Sequence, residues 1–164
     1  MPPSRWCLPG AGRLGSIKAL TMEPYTDPTR PSSPPLLADR VIIVIDDDTS
    51  LLTLMGTFLR RAGATVHVAC NGRDAFTLLE SLQSQTAVHA VLCDLRMQGG
   101  SGMELWRRVG ESMPALAPRI IFSSGDIDSD DVRSFVETSG TTILAKPYPL
   151  ADLRRMLAEM PPPS

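Results

Sequence analysis

The sequence predicts a three-layer α/β sandwich built on a five-stranded parallel sheet. Three observations carry that reading. Short aliphatic, β-branched runs alternate five times with stretches of helical periodicity between residues 41 and 160. The runs are apolar without polar alternation, as in strands covered on both faces. The links between run and helix are short, and a strict βα order with such links implies parallel strands joined by right-handed crossovers.

The elements follow in order. Val41–Ile45 is the first strand, and Leu51, Leu52, Met55, Phe58, Leu59 and Ala62 then recur at helical spacing until Gly63 ends the helix. Thr65–Ala69 is the second strand, and Asn71 caps a helix whose apolar face is Ala75, Leu78, Leu79 and Leu82. Residues 87–93 form the third strand, followed by a helix marked by Met103, Trp106 and Val109. Residues 119–123 are the fourth strand, 128–138 the fourth helix and 141–145 the fifth strand. Pro149 opens a last helix with Leu150, Leu153, Leu157 and Met160 inward. The pattern is that of a flavodoxin-like (βα)5 sandwich with expected strand order 2-1-3-4-5, whose ligands sit outside the C-terminal strand ends.

A chain of 164 residues with 43% hydrophobic and 21% charged residues accommodates one such domain plus a tail. Residues 1–38 hold eight of the fifteen prolines and read as a flexible, partly extended, disordered leader, with Met22 an alternative start. The domain is expected over 39–160, and 161–164 is a short C-terminal tail. The longest aliphatic run is five residues, far short of the ~20 that span a membrane, and no signal peptide is visible. Net charge is −2 without a basic cluster, which argues against direct nucleic-acid binding. Cys7, Cys70 and Cys93 are scattered and unpaired, which points to a reducing, cytoplasmic compartment without disulfides or a zinc site. His67 and His89 lack a ligand partner nearby in sequence and read as packed or solvated side chains.

The strand ends concentrate the chemistry. The first strand runs into Asp46-Asp47-Asp48, the third into Asp94, the fourth into Ser123-Ser124-Gly125 and the fifth into Lys146-Pro147. Singly, each has a commoner explanation as helix cap, turn or solvated charge. Together, at the same end of successive strands, they define one rim. Clustered carboxylates raise one another's pKa, and a hard cation such as Mg²⁺ resolves the repulsion. A hydroxyl and an ammonium opposite them suit phosphoryl oxygens, and a carboxylate so placed is a competent nucleophile toward phosphorus. Lys146 is the only lysine after residue 38 in a chain with fourteen arginines, and arginine does not replace a compact ammonium.

With those residues in view, the chain resembles a response-regulator receiver domain of two-component signalling, over roughly 39–160. The hydrophobic strand ending in an acidic pair is Val41 to Asp47. The acceptor Asp with Met three and Gly eight residues on is Asp94, Met97 and Gly102. The strand ending in Ser/Thr then Gly is Ile120 to Gly125, and Lys-Pro-aromatic is Lys146-Pro147-Tyr148. The resemblance implies that Asp94 accepts a phosphoryl group and that Asp46, Asp47, Asp94 and the backbone carbonyl of Arg96 hold Mg²⁺. It implies further that Ser124 and Lys146 bind phosphoryl oxygens and that the Lys146–Pro147 peptide is cis. Asp48 then helps open the first helix. Arg96 and Asp126 stand two residues beyond Asp94 and Ser124, positions that in the family flank the path of attacking water; either they bridge across that path or both point to solvent. Two positions depart from the family. Gln98 stands where a proline is frequent, followed by Gly99-Gly100, which predicts a more mobile loop. Ile143, three before the lysine, is aliphatic where the family often has a switching aromatic.

The resemblance makes the protein a phosphoacceptor rather than an enzyme with turnover. Its expected partners are a histidine kinase, a histidine phosphotransfer protein or both, and a downstream protein target. With four residues after Met160, no output domain, nucleic-acid contact or membrane contact is expected. Two other readings compete. One is an aspartyl phosphatase of the haloacid dehalogenase type with Asp46 as nucleophile, which leaves the Asp94-Met97-Gly102 motif unexplained. The other is a pseudo-receiver that binds partners without being phosphorylated.

Overall fold

Alternation along each strand divides the apolar interior in two. The computed structural model describes residues 36–98 and 100–163, together with the backbone of residues 5–8 and 16–19. Its strands are β1 (Arg5–Leu8), β2 (Ser16–Ala19), β3 (Val41–Ile45), β4 (Thr65–Ala69), β5 (Ala90–Asp94), β6 (Ile120–Ser124) and β7 (Thr142–Ala145). Its helices are α1 (Thr49–Arg61), α2 (Gly72–Gln83), α3 (Gly102–Ser112), α4 (Asp130–Ser139) and α5 (Leu150–Glu159). On one side of the sheet Ile43, Ile45, Val91, Cys93, Phe122 and Ile143 pack against α2, α3 and α4. On the other, Ile42, Val44, Leu92, Ile121 and Leu144 pack against α1 and α5. This is the period-two alternation of pleated strands, with both faces buried.

The parallel core runs β4-β3-β5-β6-β7, so the five strands lie in the expected order 2-1-3-4-5. The order reverses direction beside β3, where the crevice at the C-terminal strand ends opens. The third strand begins at Ala90 rather than at residue 87. His89 already spends its N–H on Val41 O at 2.9 Å, while its Nδ1 accepts from Val41 N at 3.1 Å, so the imidazole replaces a ladder bond there.

The leader expected over 1–38 requires correction where it is described. β1 and β2 pair antiparallel with each other, and β1 pairs antiparallel with β7 through Trp6↔Leu144 and Cys7↔Ile143. The hairpin occupies the row of backbone groups that β7 would otherwise present as a sheet edge. Leu37 is fully buried and donates its N–H to Ala62 O at 3.0 Å, so the packed domain begins before residue 39. The rest of the expected leader, including Met22, lies outside the described residues. At the other end the chain is tied down. Arg40 donates to the carbonyls of Met160 (2.7 Å) and Ala158 (2.9 Å). Arg119 donates to those of Pro161 (3.0 Å) and Pro162 (2.8 Å).

Candidate functional site

β3 delivers Asp46 at its end, and the next two residues turn the chain into α1. Asp48 caps that helix by accepting from Ser50 N (2.8 Å) and Leu51 N (3.2 Å). Asp46 is buried and doubly engaged: its Oδ1 accepts from Asp48 N at 2.9 Å, and its Oδ2 from Lys146 Nζ at 3.0 Å. Asp94, the last residue of β5, is also buried, and its Oδ1 accepts from the same Lys146 Nζ at 3.0 Å. Asp47 is more open to solvent and its Oδ2 accepts from Gln98 N at 2.8 Å, which ties the loop after β5 to the acidic pair. Ligand oxygens of Asp46, Asp47 and Asp94 lie within 4.8 Å of one another.

Lys146 follows β7. Its N–H donates to Ser124 O at 2.8 Å, and its peptide bond to Pro147 is cis. Three carboxylates thus face one ammonium. Burial raises the Asp94 carboxyl above the usual range; the bond from Lys146 offsets part of this, and Asp46 and Asp47 add to it. Burial alone would lower Lys146, but its bonds to Asp46 and Asp94 override it and hold the ammonium above its ordinary value. Among the described residues, Asp94 Oδ2 and Asp47 Oδ1 have no protein partner. Hard, anionic oxygens in excess over cationic charge fit a divalent cation of the Mg²⁺ type.

Ser124 ends β6, is buried, and accepts from Asp126 N at 3.1 Å through its Oγ. Gly102 opens α3 against the back of the site. A Cβ there would meet Asp94 O at 2.7 Å, Phe122 Cε1 at 3.0 Å and Leu95 Cα at 3.1 Å, so the glycine in the family motif is a steric requirement of this packing.

Of the two alternatives for Arg96 and Asp126, the bridge is only loosely made, at 3.9 Å between two exposed side chains. Arg96 Nη2 bonds Asp131 at 2.9 Å and Ser129 Oγ at 3.2 Å instead, because α4 starts where its first turn passes over the loop after β5. Asp131 was not singled out from sequence; its place in a run of four acidic residues between 126 and 131 gave no indication of which one Arg96 would reach. Ile143 is buried on the α4 side of the sheet, whereas Tyr148 packs against the α1–α5 side, so the tyrosine does not take the place of the missing aromatic. Burial pushes the Tyr148 hydroxyl up, while a bond with Ser123 works in the opposite direction. Cys93 is a buried thiol pushed strongly up by burial, and Cys70 is exposed; both are free. Gly99 of the Gln98-Gly99-Gly100 loop lies outside the described residues.

Comparison with known proteins places this geometry. The response regulator receiver domain family matches residues 42–158. The chain is 26% identical over 116 residues to the transcription factor SKN7 of Saccharomyces cerevisiae, covering 71% of this chain and 18% of that protein. It is 32% identical over 89 residues to the DNA-binding transcriptional regulator NtrC of Escherichia coli K12, covering 54% of this chain and 18% of that protein. The chain therefore spans about a fifth of the length of these relatives. Among solved structures, the chemotaxis protein CheY4 of Vibrio cholerae superposes with a TM-score of 0.64 at 22% identity, covering 76% of this chain and all of that one. The receiver domain of a sensor histidine kinase from Pseudomonas aeruginosa, solved with a magnesium ion in its active-site cleft, gives 0.63 at 24% identity, covering 75% and 98%. The chain belongs to the response-regulator receiver family. Receiver domains bind Mg²⁺ at an acidic pocket and serve as phosphoacceptors in two-component signalling. Among the described residues, no helix is long and apolar enough to cross a membrane.

Proposed function

We propose that Asp94 accepts a phosphoryl group from the phosphohistidine of a kinase or of a histidine phosphotransfer protein. The observation that carries this is the asymmetry of the two buried carboxylates. Both oxygens of Asp46 are engaged, by Asp48 N and by Lys146, whereas Asp94 keeps Oδ2 free to attack. In the transfer, Asp94 Oδ2 bonds to phosphorus as the N–P bond of the donor breaks, and the electron pair leaves with the imidazole. Lys146 pairs with one phosphoryl oxygen and Ser124 donates its hydroxyl to another while still accepting from Asp126 N. Asp46, Asp47, Asp94 and the backbone carbonyl of Arg96 would hold Mg²⁺, which when bound neutralises charge on the carboxylates and the phosphoryl oxygens. The same asymmetry disfavours Asp46 as a phosphatase nucleophile.

The domain then acts through protein contacts, with no direct nucleic-acid role, in the cytoplasm. Ile143, Arg96, Asp126 and Pro147 tune the lifetime and consequences of the modified state. The test is incubation with acetyl phosphate and Mg²⁺, read by intact mass and peptide mapping. One phosphoryl group on Asp94, absent from Asp94→Asn and absent in chelator, is expected. Modification of Asp94→Asn to the wild-type extent would overturn the assignment, and no modification at all would favour the pseudo-receiver reading.

A further inference from the structure

Four helices begin at a residue able to cap them through its side chain, and one of these caps is diverted. Asp48, Asn71 and Ser101 each accept from an amide in the first turn of their own helix. Ser129 holds the same position before α4, with the extended backbone of a cap (φ −66°, ψ 144°), and its carbonyl accepts from Arg133 N at 3.0 Å. Its hydroxyl nevertheless makes no bond to the helix. It donates to Asp126 O at 3.1 Å and accepts from Arg96 Nη2 at 3.2 Å.

Both of these partners lead back to the acceptor site. Arg96 leaves the chain two residues beyond Asp94, and Asp126 donates its N–H to Ser124 Oγ at 3.1 Å. The hydroxyl that would cap α4 therefore lies where two hydrogen-bonded paths meet, one from each side of the site. The helix it serves is lightly anchored, with Val132 its only fully buried residue. Arg96 is exposed and shared between Ser129 and Asp131, a solvent-screened surface pairing that is readily exchanged for a better anion.

We propose that Ser129 is a latch with two settings, and that Arg96 and Ser129 are positioning residues coupling the acceptor site to α4. In the setting seen here Arg96 and Asp126 hold the hydroxyl and the first turn of α4 goes uncapped. When a phosphoryl group arrives at Asp94, its oxygens compete with Asp131 and Ser129 for the Arg96 guanidinium. The hydroxyl is released, rotates and accepts from the amides of the first turn. No covalent step is involved beyond the phosphorylation itself, and this second half rests on Asp94 being the acceptor.

Amide hydrogen exchange of Asp131 and Val132 in the full chain tests both halves separately. Without any phosphoryl mimic, Arg96→Gln frees the hydroxyl, and exchange should slow about five-fold, the factor that one serine cap confers on a helix end. The double variant Arg96→Gln/Ser129→Ala should lose that gain, and Arg96→Gln/Ser129→Thr should keep it. Equal exchange in the alanine and serine backgrounds would overturn the latch whatever Asp94 does. With Mg²⁺ and beryllofluoride, wild type should show the same slowing and Ser129→Ala should not. Bound beryllofluoride gives its own fluorine NMR signal. That signal with unchanged exchange in wild type overturns the coupling, whereas its absence overturns the acceptor reading.

Discussion

Replacing Gly102 by alanine drives one methyl group into the back of the acceptor site. The added carbon would stand 2.7 Å from Asp94 O, 3.0 Å from Phe122 Cε1 and 3.1 Å from Leu95 Cα, where ordinary contact begins near 3.4 Å. Two of these neighbours are backbone atoms at the end of β5 and cannot rotate away. The third belongs to a fully buried ring held edge-on by Phe135 at 5.3 Å. Relief requires roughly half an ångström of movement of α3 or of the Asp94–Leu95 backbone, and overpacking of this kind costs about 1–3 kcal/mol. Alanine recovers about 0.5–1 kcal/mol over glycine inside a helix, but less at its first residue. The expected net loss is about 1–2 kcal/mol in urea unfolding. Because the displaced carbonyl is that of Asp94 itself, Mg²⁺ affinity should fall as well. A variant as stable as the wild type, or more stable, would show that the close approach is not enforced.

Three further outcomes follow from the charges. In chelator, Asp94→Asn should raise stability by on the order of 1 kcal/mol. Burial raises the Asp94 carboxyl, so the penalty is full above its folded pKa and shrinks as pH falls toward the unfolded value; melts across that range should show the wild type closing on the variant. Lys146→Met leaves Asp46 and Asp94 without their shared cation; the metal-free protein should lose about 1–3 kcal/mol in melts, while calorimetry should show Mg²⁺ binding about three- to ten-fold tighter. His89 is held below its ordinary pKa by burial, then by Arg40 and Arg119. Its neutral form favours folding, so stability is full above the unfolded value near 6.5 and declines as pH drops below it. Urea unfolding at pH 5, 6 and 7 should show a shallower decline for His89→Asn, and an equal slope would remove His89 from the account.

The strands and the rim were legible because each is written locally. Val41–Ile45 and Thr65–Ala69 are apolar, β-branched runs between polar turns, and they form as read. Asp46, Asp94 and Lys146 stand one residue past or at the end of such runs, and parallel strands bring those ends to one rim by topology alone. What was not legible depends on where the chain goes between elements. Whether Arg96 meets Asp126 or Asp131 depends on the angle at which α4 leaves the β6 loop, which no residue type encodes. The start of β5 was read early because apolar Val88 looks like a strand residue, while the bond that replaces the ladder comes from a histidine ring. Leu37, among prolines, looked like part of a leader, and its burial is decided by the space beside Ala62.

The two apolar layers have a consequence for how this domain tolerates change. The sheet acts as a partition: Leu79 and Val132 belong to one compartment, Leu59 and Leu157 to the other. Side chains in different compartments share no contact surface, so losses such as Leu59→Ala and Leu79→Ala should sum rather than compound. Each compartment can thus diversify with little regard to the other, and a partner surface on one flank can be remodelled while the opposite flank keeps its own packing. The rim escapes this insulation. Ser124 ends β6 and Lys146 directly follows β7, strands that wall both compartments, so a displacement there reaches both flanks at once.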